Sequence, residues 1–365
     1  MRKKVILMGL AAVAGVAVAA SLCLSGCANV GYYWQSVTGH LGIMNAARPV
    51  DELVREPQTS ARLRQRLVLS QRIRDFAVRE LKLPDNPSYR RYADLHRTAA
   101  VWNVTAAPIY SLELKTWCFP VTGCVGYRGY YDEREAKAEA RVLLEEGYET
   151  NVYPVTAYST LGLMNWAGGD PLLNTFLGYP EGELARLIFH ELAHQVVYAK
   201  NDTTFNESFA TAVERLGGTR WLETQAGEAA RAEYAAFDRR RRLFRELSRV
   251  TRERLNAFYQ APGLDPDARA EGKRRLMEQF RSDYEQMKAA AGGDPAAWRA
   301  YDRWVREANN AFFGAQAAYD ELVPGFEALF RIKGGDWTAF YDATRQLAAL
   351  PKEERHRQLK EAAGG

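Results

Sequence analysis

Residues 181–216 read EGELARLIFHELAHQVVYAKNDTTFNESFATAVERL, and this stretch decides how the centre of the chain folds. Apolar residues recur at three- and four-residue steps over 181–200, which predicts one helix there. A polar turn follows, and the pattern predicts a second helix over 204–216 that Gly217 and Gly218 end. Because the turn is short, the two helices are expected to be antiparallel neighbours.

The first helix carries His190, Glu191 and His194 in the pattern HExxH. Residues four positions apart lie on the same helix face, so both imidazoles can bind one metal ion. Glu191 lies beside that face, where its carboxylate can contact a water molecule. The alternative is a buried helix whose histidines bind no metal, but these groups are costly to bury without a ligand. The pattern therefore predicts a Zn²⁺ site with Glu191 as the catalytic base.

A catalytic zinc site needs a third protein ligand. The acids that follow are Asp202, Glu207 and Glu214. Antiparallel packing would bring Glu207 over the two histidines, although Glu207 could instead complete a capping box with Thr204. Thr211 and Glu214 follow on the same helix and are candidates to hydrogen bond to the ligands. The alternative for Glu214 is an ordinary position on the helix surface, with no contact to the ligands.

Residues 190–195 read HELAHQ and residues 206–214 read NESFATAVE. Together they resemble the zinc-binding core of the gluzincin metallopeptidases, and their residues are most similar to the motifs of the aminopeptidase branch. The resemblance implies that Glu207 is the third zinc ligand. The connection between the helices is shorter than in that branch. The GxMEN motif that binds a free amine there has no match, because residues 162–165 read GLMN.

A wider resemblance covers nearly the whole chain after residue 27. It includes VGYRGYY at 125–131, YSTLG at 158–162 and NNA at 309–311. On these motifs the chain looks like a bacterial family of predicted zinc aminopeptidases, which implies hydrolysis of a peptide or protein substrate. The alternatives are an endopeptidase that acts on envelope proteins and a non-catalytic lipoprotein scaffold with a structural zinc.

Peptide hydrolysis also needs a donor for the oxyanion of the transition state. In related peptidases this donor is a tyrosine, histidine or arginine outside the zinc motif. The strand expected over 151–158 is a candidate to bind an extended peptide along its edge, unless it lies inside the sheet. The candidate donors, with packing as the alternative for each, are Tyr127, Tyr158, Tyr198 and Tyr319.

The first residues decide the compartment. A basic start at 2–4 and an apolar run over 5–22 describe a secretory signal peptide. Residues 24–27 read LSGC and resemble the lipobox of bacterial lipoproteins, which implies cleavage before Cys27 and lipidation of its thiol. An uncleaved anchor, or ordinary cleavage that leaves a free cysteine, is the alternative. Ala28 lacks the acidic side chain that retains lipoproteins in the inner membrane, so we expect the outer membrane, facing the periplasm.

Export places the remaining cysteines in an oxidising compartment. A short loop that contains Pro120 and Gly123 separates Cys118 from Cys124 and can bring their Cβ atoms together. We expect a disulfide. A metal-binding pair is the alternative, although no histidine lies nearby and the spacing does not fit a zinc knuckle.

The composition is that of a globular protein, with 47% hydrophobic and 26% charged residues in a chain of 365. The net charge of +4 argues against a nucleic-acid partner, which needs a concentrated basic patch. The arginine run at 239–242 has interleaved acids nearby. It predicts a solvated helix face, with contact to anionic lipid headgroups as the alternative.

These patterns divide the chain into a signal peptide (1–26), a tether (27–48), a catalytic region (49–222) and a C-terminal helical region (223–365). The predicted fold is α+β and predominantly α-helical, with a small β-sheet beside a two-helix zinc core. Further helices are expected over 50–83, 89–101, 132–146, 226–260, 265–291 and 294–322, and strands over 104–114, 125–131 and 148–158.

Overall fold

The computed structural model describes residues 31–119, 123–263 and 265–364, without the side chains of 317–320. Helices dominate, so the predicted α+β, mainly helical class is confirmed. The helices are α1 (31–46), α2 (Val50–Arg55), α3 (Ala61–Arg79), α4 (Glu133–Glu145), α5 (Asn174–Leu177), α6 (Glu181–Ala193), α7 (Thr203–Thr224), α8 (Glu228–Tyr259), α9 (Pro266–Ala291), α10 (Arg299–Glu307), α11 (Asn310–Asp320), α12 (Val323–Ile332), α13 (Trp337–Ala348) and α14 (Lys352–Gly364). The strands are β1 (Arg48–Pro49), β2 (Arg91–Ala93), β3 (Val101–Pro108), β4 (Trp117–Phe119), β5 (Gly123–Val125), β6 (Arg128–Tyr130), β7 (Tyr148–Val155) and β8 (Leu172–Leu173).

The main sheet has β3 at its centre, between the antiparallel strands β6 and β7. Helix α4 packs against β3 and β7. It begins as predicted after Asp132, whose carboxylate accepts a hydrogen bond from the N–H of Arg134 at 2.7 Å. A second small sheet has the order β1-β2-β8, and β4 and β5 form a hairpin. This arrangement makes β7 an edge strand of the main sheet.

Helices α6 and α7 pack closely together, and two glycines on α7 lie against side chains of neighbouring segments. Gly217 and Gly218 do not end α7 as predicted, since the helix continues to Thr224. A Cβ on Gly217 would lie 2.6 Å from Cδ1 of Leu81, and one on Gly218 would lie 2.6 Å from Cγ of Arg186. The glycines therefore permit close approach of neighbouring elements, which the helical pattern alone does not reveal.

Helix α6 ends at Ala193, earlier than the predicted end at 200. The side chain of Asn206 accepts a hydrogen bond from the N–H of Ala199 at 2.7 Å and donates one to its carbonyl at 2.8 Å. Both main-chain groups of Ala199 are satisfied from α7, so this segment is held as a turn rather than a continued helix.

The helix predicted over 89–101 is wrong. Tyr89 has a φ of +64°, which a helix does not allow, and its N–H donates to the carbonyl of Asp170 at 2.6 Å. The following residues enter β2, which pairs with β1 and β8. The pattern over 50–83 is divided into α2 and α3, and that over 294–322 into a 3₁₀ turn, α10 and α11.

Within the segment predicted as a tether over 27–48, residues 31–46 form helix α1. By contacts between Cα atoms, the chain divides into a unit that ends at Ala46 and a compact unit from Ala47 onward. The boundary between 222 and 223 stays a prediction. Within the described ranges, no helix combines the length and the apolar character needed to cross a membrane.

The C-terminal helices share an aromatic core to which α8, α9, α10 and α11 contribute, and which includes Phe244, Phe280, Tyr284, Trp298, Tyr301 and Phe313. The arginine run on α8 is partly neutralised. Arg241 lies 2.8 Å from Oε2 of Glu183, and Arg242 lies 3.1 Å from Oδ2 of Asp238.

Candidate metal centre

Three side chains from α6, its C-terminal end and α7 converge in the interior. Nε2 of His190 lies 3.2 Å from Nε2 of His194 and 3.3 Å from Oε2 of Glu207. Nε2 of His194 lies 3.7 Å from the same oxygen. The histidines are 9% and 7% exposed. The structure therefore brings together, as one group that could hold a metal ion, the three ligands that the sequence predicts.

These three atoms fit a tetrahedral zinc ion. Ligand atoms about 2.0–2.2 Å from zinc lie roughly 3.3–3.6 Å apart in that geometry, close to the observed 3.2, 3.3 and 3.7 Å. Two ring nitrogens that face each other at this distance need a proton or a cation between them. Nδ1 of His194 is buried and has no hydrogen-bond partner among the described residues. Two imidazoles and a carboxylate are a donor set of catalytic zinc sites.

Asp202 has another role and is not a ligand. Its carboxylate accepts a hydrogen bond from the N–H of Phe205 at 3.1 Å and so caps α7. The same carboxylate lies 2.9 Å from Nε2 of His356 and 3.4 Å from Nη1 of Arg355. Since Asp202 is the N-cap, Glu207 is not part of a capping box headed by Thr204. Its carboxylate faces the two histidines instead.

Glu214 supports His190 from the other side of the ring. Its Oε2 lies 3.1 Å from Nδ1 of His190, and its Oε1 accepts a hydrogen bond from Arg186. Burial opposes ionisation of this carboxyl, but Arg186 and His190 lower its pKa to about 2. A partner at Nδ1 selects the tautomer whose Nε2 is free to bind a metal. Thr211 is buried on α7 without a hydrogen bond to a ligand in the described part of the chain.

Arg186, which the sequence reasoning missed, links the metal centre to α8. It is 3% exposed and lies one turn before His190 on α6. Its guanidinium donates to the hydroxyl of Tyr234 at 2.8 Å and lies 3.7 Å from Oδ1 of Asp238. A signal was available, because an arginine four residues before the first histidine shares its helix face.

Glu191 and Glu207 are neighbouring carboxyls with different tendencies to ionise. Burial raises the pKa of Glu191 above its ordinary value, although the charges of His190 and His194 oppose this. Burial would also raise the pKa of Glu207, but the two imidazoles hold it below its ordinary value. Glu207 thus favours the charged form that a ligand needs, whereas Glu191 holds a proton more readily, as an acid–base group must.

The sequence model of a family described as "Putative aminopeptidase" matches residues 31–359. The chain belongs to this family. No curated protein and no solved structure matches it. The family match runs from α1 into α14, so it includes the C-terminal helices as well as the metal centre.

In this member of the aminopeptidase family, charged residues of the site raise the pKa of two tyrosines, Tyr127 and Tyr198. Burial raises the pKa of Tyr127, and the charges of Glu207 and Glu191 raise it further. Burial and then Glu207 raise the pKa of Tyr198. Tyr127 is therefore the candidate donor on which both acids of the centre act.

Of the other two tyrosine candidates, Tyr158 is influenced by a different acid. Burial raises the pKa of Tyr158 to about 12, and the acid that acts on it is Asp170. Its hydroxyl hydrogen bonds to Tyr131. The side chain of Tyr319 lies outside the described residues.

A polar network that the sequence reasoning missed starts at Gln195, directly after the second histidine. Its Oε1 accepts a hydrogen bond from Asn86 at 2.8 Å, and its Nε2 donates to the hydroxyl of Ser88 at 3.1 Å. The same hydroxyl accepts from the N–H of Asp170 at 3.2 Å, and the Asp170 carboxylate accepts from the hydroxyl of Thr160 at 2.7 Å. This network ties the loop before β8 to the end of the HExxH helix.

A disulfide joins Cys118 and Cys124 across the β4–β5 hairpin. The N–H of Cys124 donates to Oδ1 of Asn201 at 2.9 Å, which fastens the hairpin to the turn between α6 and α7. Tyr127 follows this hairpin directly. The predicted lipidation site Cys27 and the signal peptide lie outside the described residues.

Proposed function

We propose that the protein is a zinc-dependent aminopeptidase. The observation that carries this proposal is the convergence of His190, His194 and Glu207, with the Glu191 carboxyl near enough to interact electrostatically with all three. Structural zinc sites are closed by four protein ligands and need no acid–base group. Here, within the described residues, three ligands and an adjacent carboxyl come together, which favours catalysis over a scaffold role.

A bound zinc ion would supply a Lewis acid that polarises the scissile carbonyl and lowers the pKa of a water molecule. The carboxylate of Glu191 accepts the proton of the attacking water and then donates it to the leaving amine. Glu214 keeps the proton of His190 on Nδ1, so its Nε2 stays free to bind the ion.

The hydroxyl of Tyr127 is the donor that we propose for the oxyanion. A tyrosine hydroxyl is protonated near neutral pH, as a donor requires, and burial with the nearby acids raises the pKa of Tyr127 further. Tyr127→Phe should lower kcat roughly 10²–10³-fold, the usual cost of one lost oxyanion donor. Tyr158→Phe is the matched control and should leave kcat within a few-fold. Steady-state kinetics on zinc-loaded protein measure both kcat values. A larger loss of kcat in Tyr158→Phe than in Tyr127→Phe would assign the donor role to Tyr158.

The outer edge of β7 is where we place the substrate. At one end the carbonyl of Thr150 accepts a hydrogen bond from Asn309 at 2.8 Å. Just past the other end, the carbonyl of Thr156 accepts one from a threonine hydroxyl at 2.5 Å. The main chain of Val152 and the carbonyl of Pro154 lie between the two hydrogen-bonded carbonyls of Thr150 and Thr156. An extended peptide can pair with such an edge by main-chain hydrogen bonds.

An envelope endopeptidase is the second candidate function, because the chain lacks the GxMEN glutamate that binds a free amine. Family membership supports the aminopeptidase. Digestion of one peptide series with free and with blocked N-termini, read by mass spectrometry, separates the two. Removal of single residues from free peptides alone supports the aminopeptidase, and internal cuts in blocked peptides support the endopeptidase.

We also propose that a lipid on Cys27 holds the protein at the outer membrane, facing the periplasm. The support is the basic start at 2–4, the apolar run that follows it and the LSGC sequence at 24–27. Palmitate labelling should disappear in Cys27→Ser, and labelling that persists in this variant would contradict the anchor.

Glu191→Gln separates an enzyme from a scaffold. The change keeps the three ligands and removes the proton acceptor, so kcat should fall at least about 100-fold while zinc content stays unchanged. Glu181→Gln is a matched control on the same helix, where the side chain accepts a hydrogen bond from Trp221 at 3.0 Å and an amide can replace it. If Glu191→Gln matches wild type on every peptide, with zinc bound in both, the scaffold is the better interpretation.

A further inference from the structure

Helix α1 exposes a stripe of large apolar side chains. Trp34 is 71% exposed, Val37 54%, Leu41 49% and Tyr33 45%. At 3.6 residues per turn these side chains fall within an arc of roughly 100° on one face. Ile43 lies on the face opposite Trp34 and is 1% exposed. Contiguous exposed apolar side chains of this kind indicate an interaction surface, unlike single ones.

The helix has no formal charge that must stay in water. The sequence contains no Asp, Glu, Lys or Arg from Val5 to Ala47. Tryptophan and tyrosine prefer the interface between lipid and water, because each combines an apolar ring with one polar group. Transfer of this stripe into a bilayer surface therefore buries apolar area without the cost of removing a charge from water.

The proposed lipid anchor determines which surface lies next to the stripe. Cys27 precedes Gly31, the first described residue of α1, by four positions. Four residues span at most about 14 Å even when fully extended. The interfacial layer on each side of a bilayer is itself roughly 5–8 Å thick. Whatever path the linker takes, α1 starts close to the membrane surface, so lipid is the partner within reach.

We propose that α1 lies in the membrane interface, with Tyr33, Trp34, Val37 and Leu41 in contact with lipid. This contact is a second attachment beside the lipid on Cys27. The proposal rests on that anchor and not on zinc or peptidase activity. Because α1 is neutral, its contact should not depend on anionic lipid, unlike a contact made by the arginine run at 239–242.

The test uses the mature lipidated chain with one added cysteine. Cys27 carries the lipid and Cys118 and Cys124 are bonded, so a cysteine at Val37→Cys is the free thiol for a fluorophore. Val68→Cys is the matched control, a valine on α3 that is 44% exposed. Both labelled proteins are bound to phosphatidylcholine vesicles that contain a doxyl-labelled lipid as quencher. We expect loss of emission at position 37 and little change at position 68.

Each other result overturns the proposal. Equal emission at positions 37 and 68 would mean that the stripe does not contact lipid, and that another protein or a second copy covers it. Quenching that appears only after phosphatidylglycerol is added would point to the basic run on α8. Protein that does not float with the vesicles lacks the anchor on which the proposal rests. Peptide hydrolysis by the same labelled samples reports separately on the proposed enzymatic function.

Discussion

The structure contains two largely buried groups of a carboxylate, a histidine and an arginine, both built around α7. In the first, which we call the clasp, Asp202 pairs with Arg355 and His356. In the second, Glu214 pairs with Arg186 and His190. The carboxylate–imidazole distances are nearly equal, at 2.9 Å and 3.1 Å. Residue types and pair distances are thus alike in the two groups.

The difference lies in what faces the second nitrogen of each imidazole. Nε2 of His190 faces His194 and Glu207, so three donor atoms converge. In His356, Nε2 is the nitrogen that pairs with Asp202. Among the described residues, no other ligand atoms converge on His356 to form a metal-binding group. The clasp instead fastens α14 to the start of α7. A histidine–carboxylate pair is therefore a candidate metal centre only where other ligand atoms meet it.

The largest expected difference between the two groups is in zinc content. Glu207→Gln removes the charged ligand and should abolish stoichiometric zinc binding, measured by elemental analysis after dialysis. Asp202→Asn makes the corresponding change in the clasp and should leave about one zinc per chain. Full zinc content in Glu207→Gln would place the third ligand elsewhere and remove the basis of the comparison.

A smaller effect on zinc binding is expected from Glu214, which contacts the candidate ligand His190 and not the ion itself. Glu214→Gln keeps an acceptor for Nδ1 of His190 but removes the charge that pairs with Arg186. Zinc affinity, measured by competition with a chelator, should fall roughly 10–100-fold, as is usual for groups that orient a metal ligand. An unchanged affinity would mean that Glu214 resembles the clasp in function as well as in composition.

The smallest expected effect concerns stability. His356→Ala removes one partner of Asp202 and leaves Arg355 in place, so the free energy of unfolding should fall by about 1–3 kcal/mol. Urea denaturation of the zinc-loaded protein measures this, and zinc content should not change. Loss of zinc from this variant would show that the clasp and the metal centre are not separate.

Local spacing explains which parts of the fold and site could be predicted. The face shared by His190 and His194 follows from helix geometry, and the start of α4 at Asp132 follows from capping chemistry. The helix predicted over 89–101 failed because strand pairing with β1 and β8 overrode the local pattern. The early end of α6 depends on Asn206, whose contact with Ala199 comes from the next helix.

The sequence by itself determined that His190 and His194 share one helix face, because this follows from helix periodicity. It also indicated Glu191 as a candidate base and Glu207 as a candidate ligand, from the HExxH pattern, the short connection and the resemblance to gluzincins. Only the tertiary structure decided that Glu214 and Arg186 support His190 while Asp202 belongs to the clasp. It also decided that Gly217 and Gly218 permit close packing rather than ending a helix. These outcomes depend on partners such as Leu81 and His356, which are distant along the chain, and no local pattern encodes which distant side chain will lie against a given residue.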